Sequence, residues 1–394
     1  MKRVNFICTV ILLMAAGCRG NKEHASESEG FIMVDVTKKY PTKELILQDF
    51  MDVDYIVLDT NDDFFNQGVV LAIGKDEILV KNQINDGDLF IYDRNGKGLR
   101  KINRKGQGGE EYTSLSFILL DAENNEMFVN SYNRILVYDL FGKFKRSFPN
   151  QRFGSIRNFD KDNLICSNGA FDDEKIPGDS PFVIISKQDG IITKEISIIS
   201  QIEIPKTTTI NHNGFVMVGY SSIFPSVSVI PFHNSWFLTA YSSDTVFQYL
   251  PDYSMIPFMV RTPTIESKSP ESFLTPVLLT DPYYFLQTVK IEPEAKGSTP
   301  QDAFLFYQRT NLLYDRQEMK IFEYTVFNDD YTSKVTVEMT QTNGNDEVAF
   351  WQKIESHQLI EDFEKGELKG RLKDVAAELN EDSNPVIMLV KYKN

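Results

Sequence analysis

The stretch Leu89–Tyr112, LFIYDRNGKGLRKINRKGQGGEEY, constrains the fold more than any other part of the chain. Leu89–Tyr92 is a short apolar β-run and Leu99–Ile102 is its returning partner. Between them Asp93-Arg94-Asn95-Gly96 reads as a hairpin turn, since Asn and Gly accept the positive φ such turns require. Gly106-Gln107-Gly108-Gly109 then leads the chain away. The unit recurs as Tyr138-Asp139-Leu140-Phe141-Gly142-Lys143 and, more loosely, as Ile185-Ser186-Lys187-Gln188-Asp189-Gly190. Gly96 to Gly142 is 46 residues and Gly142 to Gly190 is 48. Short strands repeating at that period are what a four-stranded propeller blade needs. The expected fold is all-β: a six-bladed β-propeller over residues 31–394, with a short helical insertion in its last blade.

The first blade comprises Val69–Ile73, Glu77–Lys81, Leu89–Tyr92 and Leu99–Ile102. The second comprises Phe117–Asp121, Met127–Asn130, Ile135–Asp139 and Phe144–Phe148, and the third Ser155–Phe159, Asn163–Ser167, Phe182–Ser186 and Ile192–Ile198. The fourth reads as Phe215–Gly219, Ser235–Tyr241, Asp244–Leu250 and Met255–Arg261, with Ser221–Asn234 as an insertion whose prolines limit central-strand pairing. The fifth runs from about Pro276 to Tyr314. The sixth starts at Lys320–Phe327, continues through Lys334–Thr340 and Val348–Trp351, and ends with Val386–Tyr392. Leu368, Leu372, Val375, Ala376 and Leu379 form one stripe of an amphipathic helix inside that blade, and Leu359, Ile360 and Phe363 one side of a shorter one. Phe31–Val36 and Tyr55–Asp59 precede the first blade and are the candidates to close the ring against Val386–Tyr392, because an open seam leaves strand edges unpaired.

The start of the chain reads as an export signal over residues 1–18. Lys2 and Arg3 are basic, Val4–Met14 is mostly apolar, and Ala15-Ala16-Gly17 places small residues before Cys18. That run resembles a bacterial lipobox, with Ala15 where leucine is usual, which implies acylation of Cys18. The alternative is an ordinary cleaved signal with a chance cysteine. The apolar run is too short to span a bilayer. Residues 19–30 lack any large apolar side chain and read as a flexible tether. Without the signal, 39 basic face 56 acidic side chains, a net charge of −17. That sign repels phosphates and argues against nucleic acid as a partner. Cys8 leaves with the signal and Cys18 takes the lipid, so Cys166 remains as a small buried apolar residue, or, on the sharper reading, a catalytic thiol.

The C-terminal run Glu381-Asp382-Ser383-Asn384-Pro385 with Val386–Tyr392 after it, the lipobox, and the loop Lys105-Gly106-Gln107-Gly108-Gly109-Glu110-Glu111-Tyr112 together carry a family likeness. The chain resembles the six-bladed β-propeller lipoproteins of Gram-negative gut anaerobes, relatives of the NHL and TolB-like propellers, over nearly its whole mature length. The loop departs from the usual glycine-x-glycine-proline-glycine-glutamate-tyrosine in having no proline. The resemblance implies the fold and an envelope location, with the outer membrane as the expected place, and leaves the biochemical role open.

No motif for a nucleotide, a metal-dependent protease or a serine nucleophile occurs, and no cofactor or metal is implied. His24, His212, His233 and His357 are not spaced for a joint metal site. Asp86-Gly87-Asp88 reads as a turn, with calcium ligation as the alternative. Arg104, Lys105 and Glu110 form a charged patch beside the glycine loop: either a polar rim at the channel mouth or an inter-blade connection. Phe224 beside Pro225 and Phe232 beside Pro231 sit in the apparent insertion, where exposed rings would stack on a sugar or fill a partner's pocket. The expected function is an envelope-anchored binding module for a glycan or an envelope protein, touching membrane through its lipid alone. The alternative is an enzyme acting on an envelope substrate at an axial mouth, with fold alone not choosing between them.

The anchor is directly testable. Two or more acyl chains hold a protein stably on a bilayer, so wild-type protein belongs in the membrane fraction and Cys18→Ser in the soluble one. Unchanged membrane association of the variant refutes the assignment.

Overall fold

The structure, a computed structural model, describes residues 30–131, 133–150, 153–168, 180–199, 207–212, 215–220, 227–240, 243–265, 272–291, 307–340 and 345–393. Four elements precede the blades: β1 (Ile32–Asp35), β2 (Thr42–Ile46), the single turn α1 (Leu47–Phe50) and β3 (Met51–Val57). The first blade is β4 (Val69–Ile73), β5 (Glu77–Lys81), β6 (Asp88–Asp93) and β7 (Gly98–Asn103). The second is β8 (Phe117–Asp121), β9 (Glu126–Ser131), β10 (Arg134–Asp139) and β11 (Phe144–Pro149), and the third β12 (Phe153–Asn158), β13 (Asn163–Asn168), β14 (Phe182–Ser186) and β15 (Ile192–Ile196). A separate hairpin, β16 (Thr207–His212) and β17 (Phe215–Tyr220), comes next. The fourth blade is β18 (Val227–Phe232), β19 (Ser235–Ala240), β20 (Thr245–Tyr249) and β21 (Met255–Thr262), and the fifth β22 (Ser272–Leu279), β23 (Tyr283–Ile291), β24 (Tyr307–Asp315) and β25 (Lys320–Asn328). Short β26 (Val335–Val337) pairs with the end of β25. The sixth blade is β27 (Val348–Ile354), then α2 (Ser356–Glu364) and α3 (Gly370–Ala376), then β28 (Val386–Tyr392), with β3 as its outer strand.

Among the described residues six buried apolar clusters sit one between each pair of neighbouring blades, so the ring is closed. Ile56, Tyr92 and Leu389 join the sixth blade to the first. Leu89, Ile118 and Tyr138 join the first to the second, and Phe128, Leu164 and Cys166 the second to the third. Ile165, Trp236 and Tyr249 join the third to the fourth, Phe237, Leu286 and Tyr314 the fourth to the fifth, and Phe285, Phe350 and Met388 the fifth to the sixth. The apolar strands are buried on both faces because each sheet packs between two others. Cys166 is fully buried there, and burial pushes its thiol pKa up, away from the reactive thiolate.

The recurring Tyr-Asp-x-x-Gly-Lys unit has a mechanical explanation. Asp93 Oδ1 accepts from the N–H groups of Asn95 and Lys97, and Asp139 Oδ1 from those of Phe141 and Lys143. Gly96 and Gly142 then take φ of +86° and +83°. A Cβ at Gly96 would lie 1.9 Å from Val57 O, so glycine is required there twice over, by conformation and by space. The tyrosine hydroxyls reach back to the incoming connection, Tyr92 Oη donating to Phe64 O and Tyr138 Oη to Glu110 O. Asp86-Gly87-Asp88 is a turn, its carboxylates taken by Asn82, the Asp88 N–H, Asn103 and Lys101.

The expected closure is present: β28 pairs antiparallel with β3, from Val386 opposite Val57 to Tyr392 opposite Met51. The other N-terminal strands add parallel to outer edges, β1 to β21 and β2 to β25. Several expectations need correction. Phe215–Gly219 is not part of the fourth blade but of the separate β16–β17 hairpin, and the supposed insertion ends in that blade's first strand, β18. Pro231 fits because β18 is an edge strand of its sheet, and His233-Asn234, with φ of +47° and +52°, forms a tight two-residue turn to β19. Lys320–Phe327 belongs to the fifth blade as β25, not to the sixth, which therefore has three strands among the described residues. The helical stripe is split: Gly370–Ala376 is helical, while Leu368 and Leu379 flank the helix and still pack on the same core.

Two features of this frame are testable. Asn384, fully buried, donates from Nδ2 to Asp59 O and Phe64 O and accepts from Asn66 N at Oδ1. Asn384→Ala strands these groups and should cost about 3 kcal/mol in denaturant unfolding; a loss under about 0.5 kcal/mol would contradict the role. Glu126 is opposed by burial, but Arg146 and Lys145 outweigh it and hold its carboxyl below the usual range. A depressed folded pKa contributes stability above the unfolded pKa that is lost as pH falls through the folded one. Glu126→Gln should therefore destabilise at pH 7, and its difference from wild type should shrink on acidification to about pH 3; a constant difference would show that the charge is irrelevant.

Candidate functional site

Two adjoining clefts open on the sixth blade where β27 gives way to α2. The first, of about 260 Å³, lies between β26 (Val335–Val337) and the end of β27 (Gln352–Ile354), with Asn328 and Met388 at its floor. The second, of about 360 Å³, lies between α2 and the segment entering the first blade, and is lined by Phe65, Gln67, Gln83 and Glu381. Lys353, Glu355 and His357 line both, so they form one continuous depression.

The floor is fixed by a polar network. Asn328 donates from Nδ2 to Tyr55 Oη at 2.8 Å, and Tyr55 Oη donates to Asp330 Oδ2 at 2.9 Å. Gln48 Nε2 donates to Asn328 Oδ1 at 2.6 Å and to Asp330 Oδ2 at 3.0 Å. Burial first, then the Asp330 carboxylate, push the Tyr55 phenol pKa up, so it stays a proton donor. Tyr331 on the wall is raised by burial and then by Asp362 and Asp330. The second cleft stands on the Asn384 knot, since Ser356 donates to Asn384 O and Asn384 holds Asn66.

Above this base lie the accessible groups, some of them already bonded to one another: Gln67 Oε1 accepts from the Gln83 N–H and Gln358 Nε2 donates to Asp362. Lys353 Nζ pairs with Glu355 Oε1 at 2.5 Å and His357 is exposed. Phe65 is 63% exposed, an apolar ring held at the rim. Exposed amides of Gln67, Gln83, Gln352 and Gln358 surround them. Planar donors and acceptors beside an open ring and one ion pair suit recognition of a polar, extended ligand. Among the described residues no group of three or more His, Cys, Asp or Glu side chains is placed to hold a metal.

The residues singled out from sequence do not converge. Cys18 and Phe224 lie outside the described residues. Phe232 is half-buried at the end of β18, with ring centroids of His233, Tyr284 and Tyr392 at 4.0, 6.4 and 6.4 Å. Beside it His233 Nε2 meets Asp281 Oδ1 at 2.6 Å, and Arg316 lies over the Tyr284 ring. Gln67 precedes β4, the first strand of its blade, whereas Phe232 ends β18, the first strand of its own; Phe232 therefore lies on the face opposite the clefts.

The glycine loop shares the clefts' face. Arg104 Nε donates to Gly142 O at 3.1 Å and Lys105 Nζ donates to Asn85 O, two residues beyond Gln83 in the same turn. Glu111 Oε2 accepts from Gly108 N–H, and Arg134 reaches the carbonyls of Gly108, Gly109 and Glu111. Glu110 keeps an exposed side chain while its carbonyl accepts from Tyr138. Sequence reasoning missed Phe65, Lys353, Glu355 and His357 as a site. The available signal was the helical interruption of the last blade, which places α2 beside the connection to the first.

No curated protein matches the chain. Among solved structures, a Bacteroides fragilis protein described as exported shares the fold at 14% identity, with a TM-score of 0.58 over 90% of this chain and 99% of its own. A member of the DUF4221 family from Bacteroides vulgatus aligns at 9% identity and a TM-score of 0.44, over 88% of this chain and 99% of its own. The model of DUF4934, a domain of unknown function, matches residues 31–391, and the chain belongs to that family.

Proposed function

We propose that the chain is a binding module of the cell envelope, held there by a lipid on Cys18 and recognising a glycan or an envelope protein at the joined clefts of the sixth blade. The carrying observation is the continuous depression around Lys353, Glu355 and His357, with Phe65 open at its rim and a fully bonded floor beneath it. Preorganised walls reduce the ordering cost of binding, which is where such sites gain affinity. The lipobox-like run, the tether and a fold shared with a protein described as exported support the envelope location, and the outer membrane is the proposed membrane. Kinship with NHL and TolB-like propellers belongs to the same reading and rests on the glycine loop and terminal strand. The patch of Arg104, Lys105 and Glu110 extends the binding face beyond Gln83. Phe232 is proposed as a separate contact on the opposite face, and Phe224, outside the described residues, is proposed as a contact on sequence grounds alone.

Trp351, half-buried in β27 on the face toward the first blade and two residues before Lys353, is a built-in reporter. In a Trp236→Phe background, titration with peptidoglycan fragments or with peptides from envelope proteins should give a saturable change in its emission. Phe65→Ala with His357→Ala should weaken that binding about tenfold while leaving the melting temperature within a degree or so, as exposed side chains do. A flat response to both probe classes overturns the proposal.

A further inference from the structure

The face of the ring opposite the clefts is made by hairpin turns. In an antiparallel four-stranded blade the first–second and third–fourth turns emerge on the same side. Main-chain contacts tie them together: Lys187 N–H donates to Asp162 O in the third blade, and Arg94 Nη1 donates to Gly74 O in the first. The third–fourth turns of the first five blades all lie within the described residues. Of the eleven large apolar side chains exposed among the described residues, seven belong to these turns. Phe141, Ile191, Tyr253 and Met319 lie in them, and Leu99, Met255 and Ile256 open the strands that follow. The cleft face carries three, Phe65, Ile84 and Ile199, so the turn face is the more apolar of the two.

Cations flank these tips. Arg100 lies 4.8 Å over the Phe141 ring and Lys194 Nζ 4.4 Å over the Tyr253 ring. The nearby carboxylates of Asp139, Asp189 and Asp252 are taken by N–H groups of their own turns. The start of the fold lies at the same place. β1 runs parallel to β21, with Ile32 opposite Met259, so the chain enters β1 from the end where the β20–β21 turn carries Tyr253, Met255 and Ile256. Twelve residues separate Cys18 from Gly30, a reach of at most about 43 Å.

We propose that the turn face rests on the bilayer that holds the Cys18 lipid, with its apolar tips entering the headgroup region and the clefts turned away from the membrane. The inference rests on the lipid anchor of the proposed function and adds the orientation of the fold on it. Apolar tips beside cations suit a lipid interface, where ring and aliphatic carbons leave water while guanidinium and ammonium groups stay with the phosphates. A bilayer requires only that the tips share a face. A protein partner requires a continuous apolar patch, and these tips are spread over five successive blades. A body of net charge −17 gains nothing from anionic headgroups as a whole, so burial of the tips has to supply the contact. A short tether makes weak burial sufficient, because it holds the tips near the surface at high effective concentration.

The test uses the full acylated protein on vesicles of phosphatidylethanolamine and phosphatidylglycerol. A fluorescent label is attached in turn through Phe141→Cys, Ile256→Cys and, on the cleft face, Ile84→Cys; Cys166 is buried and does not compete. Spin-labelled lipids are expected to quench the first two labels from about 5–10 Å inside the headgroup boundary and to leave the third unquenched. Met255→Ser with Ile256→Ser should leave the protein floating with the vesicles through its lipid and lower the quenching of the Phe141→Cys label. Where a labelled variant does not fold, hydroxyl-radical footprinting of the wild-type protein decides: Tyr253, Met255 and Met319 should lose reactivity on vesicles while Phe65 keeps it. Flotation with the turn-face labels unquenched, or with all three labels quenched alike, overturns the orientation and leaves the anchor standing. Wild-type protein that does not float with the vesicles overturns the anchor and the orientation together.

Discussion

The fold depends on one seam, the antiparallel pairing of β3 with β28. A propeller blade cannot bury both its faces unless it has neighbours on both sides, so an open ring leaves two blades half-solvated and two rows of main-chain groups unpaired. Here seven consecutive residue pairs, from Met51–Tyr392 to Val57–Val386, join the two ends of the chain. The N-terminal segment does more than close one blade. It runs along the outer edges of the fourth, fifth and sixth blades in turn, as β1, β2 and β3, so edges that would invite another chain are covered by this one.

Between blades the same two devices recur, which is why the sequence has a period at all. The apolar device is the shared cluster at each interface. The polar device is an arginine on the outer strand. Arg100 bonds Glu77 of its own blade and Leu140 O of the next; Arg146 bonds Glu126 through two nitrogens and Lys187 O of the next. Each latch ties a hairpin turn to the preceding sheet and keeps its charges bonded where they are largely removed from water. Where the motif is complete, in the first two blades, spacing and structure agree closely.

Local rules therefore decide how much of the fold is legible. Strand order in the first three blades, ring closure and the helical interruption come from turn residues with positive φ, apolar runs of strand length and a helical stripe. The fourth to sixth blades lack the Tyr-Asp-x-x-Gly-Lys unit, and there local pattern and structure differ by a strand. Pro231 argues against a central strand, but its position is the free edge of its sheet, where no N–H is needed. Lys320–Phe327 reads forward into the sixth blade because no turn signal separates it from the next strand, whereas tertiary pairing with β24 draws it back into the fifth. The clefts are illegible for a different reason. Phe65 and His357 are almost 300 residues apart, and the closure of the ring is what brings them together.

Closure and cleft are thus one piece of geometry. Because β3 supplies the sixth blade's outer strand, the chain's own last segment needs to supply only inner ones, and residues between β27 and β28 are released to form α2 and α3. Those helices pack Leu359, Leu372 and Ala376 into the same cluster that seals the fifth and sixth blades, so the wall of the depression is set by the core. The Asn384 knot and the Gln48–Asn328–Asp330–Tyr55 network fix its base from both sides. The candidate binding surface of this propeller lies where the repeat is broken, and the break sits on the seam that the whole ring requires.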